Sequence, residues 1–340
     1  MERDGSTVPA TLVLPPGFRA GVSPVWILLH GITRPGRAHP TLQRFSRALA
    51  ASGAAVLIPE VPEWTRLRLA PEATAPTVES AVARLRSLGV LSSGARVGLM
   101  GFSFGAPQAV IASSLAGEDD GIAAAVGFGG YCDLERTLRF QFTGFHEWEG
   151  VRHHLAPDPY GRWIVGANHL TAVPGHEGDT RVAEALHAIA ADAGDRRVDA
   201  WDPTLDALKE ELAAGLDAAE REVFRLFAPP AGREPAPEAV EDLVRGLATA
   251  ARTVSPLTEP APFLGSVTRP TQLLHGRGDR LIPFSETLRL ARHLGPEVAR
   301  HATVTGLFSH SRGDAFQSRW EGLREGLILA GALRKVLMRV

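Results

Sequence analysis

A single cysteine, Cys132, stands among 340 residues. One thiol excludes an internal disulfide and any metal site built wholly from cysteines, and it fits a reducing compartment, the cytoplasm. Neither sign of charge dominates: 36 Lys and Arg face 38 Asp and Glu, for a formal net charge of -2. That balance lacks the basic excess that a phosphate backbone or an anionic membrane surface would select, so no nucleic-acid partner is expected. Long hydrophobic runs are missing as well. The stretches VWILL and AAVLIP are far shorter than the roughly 20 residues a helix needs to cross a bilayer. The first residues, MERDGSTVPATLVLPPG, contain no basic leader followed by an apolar stretch. A soluble protein without a membrane span is expected, and no internal repeat or low-complexity tract is visible. The length suffices for one large core, or for a core carrying an insertion.

What the chain does have is an alternation of short apolar runs with amphipathic stretches. Residues 7–14 and 25–30 are apolar runs separated by PPGFRAGVSP, and the Pro and Gly residues between them suggest a hairpin-like pair of strands. A helix over Thr41–Ser52, a buried strand AAVLIP, a helix over Thr77–Leu88, the strand ARVGLMG, a helix over Phe104–Leu115 and the strand IAAAVGFGG follow in turn. Such repetition implies an α/β fold, a mostly parallel sheet covered by helices on both faces. After Asp133 the rhythm stops, and no clean strand period appears in the segment that follows. Amphipathic helical stretches come next, the clearest over 203–227 with Leu205, Leu208, Leu212, Leu216, Val223 and Leu226 on one face. Another covers Val240–Ala251. The strand RPTQLLHG, a helix over Phe284–Leu294, a short strand near Ala302–Val304 and a helix from Ala315 onward restore the earlier grammar. The domain reading is therefore a core of residues 1–133 and 256–340 with a helical cap inserted over 134–255.

The segment VGLMGFSFGAPQAV places Ser103 between a strand and a helix. A sharp strand-to-helix turn crowds the backbone, so its flanks want residues without side chains, and Gly101 and Gly105 supply them. The hydroxyl is then pushed outward. With HGI closing an earlier strand and HGRGDRLIP closing a later one, the chain resembles the serine alpha/beta-hydrolase superfamily. Within it, the chain is loosely similar to the dienelactone hydrolase and prolyl-oligopeptidase-like branch.

The resemblance covers both core segments and implies a nucleophile, an acid and a histidine in that order along the chain. Ser103, Asp279 and His310 fill those places, with Asp133, after another core strand, as the alternative acid. A serine hydroxyl needs a base to take its proton as it attacks, and histidine has the pKa for that task. The superfamily pattern also assigns the oxyanion hole to the backbone N–H groups of Ile32 and Phe104. His30 and His275 read as structural histidines that brace loops, and Asp314 as a helix cap. The implied activity is a cofactor-free carboxylesterase acting on small to medium acyl esters. An amide or peptide hydrolase of the same fold is the alternative, and a ligand-binding protein without turnover is the reading from another class.

Three further features carry competing readings. His146, His153, His154, His169 and His176 gather beside carboxylates, but their spacing matches no zinc-protease pattern, so no metal is expected. Cys132 lies at a strand end other than the elbow and reads as a buried structural thiol. Phe102, Phe104 and Trp148 are candidates to line a pocket roofed by the cap, with core packing as the plainer reading for Phe102 and Trp148. Because little chain precedes VWILLHG, the sheet is expected to lack an edge strand of the superfamily pattern.

Overall fold

A computed structural model describes residues 1–92, 94–115, 121–306 and 331. The first strands are short: β1 (Glu2–Arg3) and β2 (Ser6–Thr7) pair with each other. The main sheet holds β3 (Ala10–Val13), β4 (Val25–Leu29), β5 (Ala55–Pro59), β6 (Val97–Phe102), β7 (Ile122–Phe128), β10 (Thr271–Gly276) and β11 (Ala299–Thr305) in the order β11-β10-β7-β6-β4-β5-β3. All neighbours are parallel except β3, which runs antiparallel to β5 at the edge. The hairpin expected from residues 7–14 and 25–30 is therefore not formed. β4 is buried along its whole length and takes β5 and β6 as neighbours, so β3 pairs on the far side of β5 instead.

Strand alternation builds a core on each face of the sheet. Trp26 and Leu28 of β4 join Val56, Ile58, Met100 and Val126 beneath Leu42 and Leu49 of α1 (Pro40–Ala51). Ile27 and Leu29 turn the other way, toward Val78, Val82 and Leu85 of α3 (Thr74–Ser87), which follows the short helix α2 (Pro62–Thr65). Gly98 of β6 makes room for this packing, since a Cβ there would overlap the ring of Trp26. α4 (Gly105–Leu115) lies against β6 and β7. Leu290 and Leu294 of α11 (Phe284–Leu294) pack with Val110, Ile111 and Leu273.

Between β7 and β10 the chain forms α5 (Leu134–Thr143), α6 (Tyr160–His169), α7 (Thr180–Arg196), α8 (Asp206–Ala214), α9 (Ala218–Phe227) and α10 (Pro237–Val254). Two features differ from the sequence expectation. A hairpin, β8 (Phe145–Trp148) with β9 (Val151–His154), follows α5. Its turn carries positive φ at both Glu149 (51°) and Gly150 (77°), the geometry of a tight hairpin turn, but Glu is not one of the residues that advertise it. The apolar stripe over 203–227 is two helices rather than one. Asp217 accepts a hydrogen bond from the Glu220 amide while the Glu220 carboxylate accepts from the Asp217 amide, and this capping box starts a new helix after Gly215. Among the described residues no helix is long and apolar enough to cross a membrane.

Candidate active site

The carboxyl ends of β4, β6, β7, β10 and β11 share one edge of the sheet, since these strands are mutually parallel. In open α/β sheets the crevices that take ligands form outside this edge. Ser103 stands there, directly after β6, with φ of +56°, a left-handed conformation that costs a non-glycine residue about 1–2 kcal/mol. Its N–H donates to the Phe128 carbonyl (2.8 Å), and its own carbonyl accepts from the Ala106 N–H (2.9 Å), so the turn is pinned on both sides.

Three glycines permit this turn. A Cβ on Gly101 would overlap the Gly105 carbonyl, and one on Gly105 would lie 2.6 Å from the His30 carbonyl oxygen. A Cβ on Gly31 would come within 3.0 Å of the Ser103 Cβ and 3.6 Å of its Oγ. Gly31 is thus the residue of the β4 loop that faces the serine. The neighbouring His30 is fully buried: its Nε2 accepts from the Val61 N–H (3.0 Å), leaving Nδ1 to donate to the Gly31 carbonyl (2.7 Å). Burial holds its pKa below the usual histidine range. Both ring nitrogens are engaged in bracing the loop, in keeping with the structural role read from the sequence.

Ser103, Gly31, Ile32 and Phe102 line a cleft of about 550 Å³. Neither the Ile32 nor the Phe104 N–H donates to the main chain of another described residue. The Phe104 side chain does not line this cleft. It is buried, edge-on to Trp64 (5.3 Å) and near Tyr131 (6.4 Å). Phe102 does two things at once, forming cleft wall while its ring stacks on Phe128 (4.7 Å). Trp148 does neither; it lies on β8 beneath the guanidinium groups of Arg289 (5.7 Å) and Arg292 (4.5 Å).

The two candidate acids have different surroundings. Asp279, three residues past β10, is buried; its Oδ1 accepts from the N–H groups of Leu281 (2.9 Å) and Ile282 (3.1 Å), and its Oδ2 lies 3.4 Å from His275 Nε2. Asp133 is partly exposed and caps α5: one oxygen accepts from the Arg136 N–H (2.8 Å) and the other pairs with the Arg136 guanidinium (3.2 Å). His275 is buried between Thr287 Oγ1 (2.6 Å) and the Ile282 carbonyl (2.9 Å), a bracing role like that of His30. His310 and Asp314 lie outside the described residues. Thr305, the last residue of β11, ends at the same sheet edge five residues before His310.

None of the histidines that gather in the sequence after Asp133 lines this cleft. His146 stacks on His153 (4.9 Å), and burial together with that neighbour pushes it down to about 4. His176 Nδ1 pairs with Asp179 (2.6 Å), and His154 Nε2 lies 3.8 Å from Glu234. His169 is buried, pushed down to about 4 by desolvation. Among the described residues no group of three or more His, Cys, Asp or Glu side chains could hold a metal ion. Cys132 is buried and its thiol is pushed up to about 12, mainly by desolvation, so it is not a thiolate at neutral pH.

Other cleft residues carry no motif and were not expected from the sequence: Asp158 and Tyr160 ahead of and within α6, and Arg197, Asp199 and Ala200 after α7. A Pro-rich break, APDPYG, marks the first group as a turn but says nothing of what it faces.

No protein-family model matches the chain, and no curated protein matches its sequence. Solved structures do. Est1E from Butyrivibrio proteoclasticus, determined with ferulic acid bound, is 14% identical over 98% of both chains with a TM-score of 0.50. A fungal esterase from Rhizomucor miehei is 15% identical over 99% of this chain and 82% of its own, with a TM-score of 0.47. At such identities the likeness to Est1E speaks for architecture, and it agrees with the sheet order and helical layers above: the chain has the alpha/beta-hydrolase fold.

Proposed function

We propose that this protein is a serine hydrolase, a carboxylesterase that cleaves small to medium acyl esters through an acyl-enzyme intermediate and without a cofactor. The observation that carries the reading is Ser103, held at φ +56° at a strand-to-helix turn and facing a cleft across Gly31. A strained, pinned serine on a cleft wall is what nucleophilic attack requires and what space-filling does not. In the proposed cycle His310 takes the proton from Ser103 Oγ as the oxygen attacks the ester carbonyl, then returns it to the departing alcohol. Water, deprotonated by the same imidazole, releases the acid. Asp279 orients the imidazole and stabilises its cationic form; its burial beside the same sheet edge supports that role, whereas both oxygens of Asp133 are committed to α5. The N–H groups of Ile32 and Phe104 would hold the negative oxygen of the tetrahedral intermediate, a contribution of about 3 kcal/mol for each donor.

Residues 134–255 would form the cap that sets the substrate, supported by the positions of Asp158, Tyr160, Arg197 and Ala200 on the cleft. The proposed site of action is the cytoplasm, consistent with a lone buried thiol. The test is labelling by a fluorophosphonate together with turnover of a graded panel of nitrophenyl esters. Labelling at Ser103, and loss of both labelling and turnover in Ser103→Ala, are expected; turnover that survives in Ser103→Ala sinks the reading. Since the base must be neutral, activity should fall as pH drops through the histidine range. Turnover of anilides that exceeds that of matched esters would move the assignment to an amide hydrolase.

A further inference from the structure

The loop that carries Asp279 is not held by the sheet alone. Arg280, the next residue, joins it to both sides of the inserted segment. Its carbonyl accepts from the Asp158 N–H (2.6 Å), and its guanidinium Nε donates to the Ala156 carbonyl (2.7 Å). The same guanidinium lies 4.0 Å over the ring of Trp201. One residue further, the Leu281 carbonyl accepts from the Gln141 amide (3.0 Å). These contacts reach the two stretches that wall the cleft: Asp158 and Tyr160 on one side, and Val198, Asp199 and Ala200, directly before Trp201, on the other. Leu281 itself lines the cleft.

From this arrangement we infer that Arg280 is a positioning residue, which makes the geometry of the Asp279 loop depend on the cleft wall at 198–200 through its stack on the adjoining Trp201. A planar guanidinium can donate in its own plane to Ala156 while presenting its face to the indole; a lysine ammonium offers no such face. A substrate lodged against residues 198–200 therefore bears on the peptide next to the acid. The inference rests on the hydrolase reading for its catalytic meaning, but the coupling between the two segments is a property of the fold.

The two can be tested apart. Hydrogen exchange of the full chain is measured over 197–201 and 277–282 in the wild type, Arg280→Ala, Arg280→Lys, Trp201→Ala and Trp201→Phe. Trp201→Ala is expected to raise exchange several-fold in 277–282, a segment to which it does not belong, and both Arg280 variants to raise it in 197–201, while Trp201→Phe stays near wild type because a ring remains. With nitrophenyl esters, Arg280→Ala and Trp201→Ala should each lower kcat about tenfold, and the double variant should lose little more than either, the sign of one shared interaction. Unchanged exchange in 277–282 on Trp201→Ala, or strictly multiplicative losses in the double variant, would overturn the inference. Coupled exchange in a protein that no fluorophosphonate labels would leave the coupling standing and remove the hydrolase reading instead.

Discussion

The loops after β7 and β10 begin alike and end differently. Each leaves the carboxyl edge of a buried parallel strand and presents an aspartate within a few residues, Asp133 in one and Asp279 in the other. After β7 the helix α5 begins with the residue that follows Asp133, so Asp133 is consumed as its cap and as partner to Arg136. Glu286 of α11 completes the closure by accepting from the Cys132 N–H (3.2 Å), the Asp133 N–H (2.9 Å) and Arg136 Nε (2.9 Å). After β10 the chain turns back on itself before α11, and Asp279 is buried with one oxygen holding that turn and the other toward His275. Identical side chains at equivalent strand ends thus become a helix cap in one place and a buried carboxylate in the other. The two differ in their distance from the next helix, which starts at the residue after Asp133 but five residues after Asp279.

The sharpest way to break that comparison is to remove one charge at a time. If Asp279 orients the imidazole as proposed, Asp279→Asn should lower kcat by about 10³–10⁴-fold, because the amide would hold the imidazole in the wrong tautomer. Asp133→Ala should leave turnover within a few-fold and cost about 1 kcal/mol of stability through the lost cap, read by urea unfolding. The reverse pattern would exchange the roles of the two acids. Between these in size is Gly31→Ala: its methyl would sit 3.0 Å from the Ser103 Cβ, and displacing the proposed nucleophile should cost roughly 10²-fold in kcat/KM with little change in unfolding midpoint.

Stability against pH extends the contrast to the segment between these loops. His169 is buried with no hydrogen-bond partner at either ring nitrogen among the described residues, and its pKa is near 4 against an ordinary value of 6.5. The folded chain therefore keeps it neutral where the unfolded chain protonates it. That contribution is full above about pH 6.5 and is lost as pH falls toward 4. Glu259 works the other way. Burial and the nearby Asp133 raise it to about 7, so its contribution is present below its ordinary 4.5 and lost as pH rises through 7. Over 4.5–6.5 the two slopes oppose each other, so His169→Leu should remove the rise of Tm with pH and leave Tm falling between 4.5 and 7 on the Glu259 limb alone. A rise unchanged by the substitution would remove His169 from the account.

Much of the fold was legible because its signals are local. The helix over Phe284–Leu294 has the expected bounds, and the strand-turn-helix around Ser103 follows from an apolar run, two glycines and a serine. The hairpin β8–β9 was missed because Glu149-Gly150 adopts a turn usually marked by Asn or Asp before Gly. The break at Gly215 was missed because an apolar stripe continues in phase across it, while the interruption depends on the reciprocal bonds of Asp217 and Glu220. At the site, Ser103 and its glycines could be read from spacing, whereas Asp158, Arg197 and Asp199 could not, since no motif links them to the serine.

By itself the sequence determined the period of most strands and helices of the main sheet and its layers, and the crowding at Ser103, since both arise between residues a few positions apart. Tertiary structure alone decided that β3 lies beside β5 rather than β4, that Asp133 caps a helix while Asp279 is buried, and that residues near 158 and 198 wall the cleft. Those outcomes depend on which distant surfaces meet. Burial and hydrogen-bond satisfaction across the whole chain select among pairings that local pattern leaves equal.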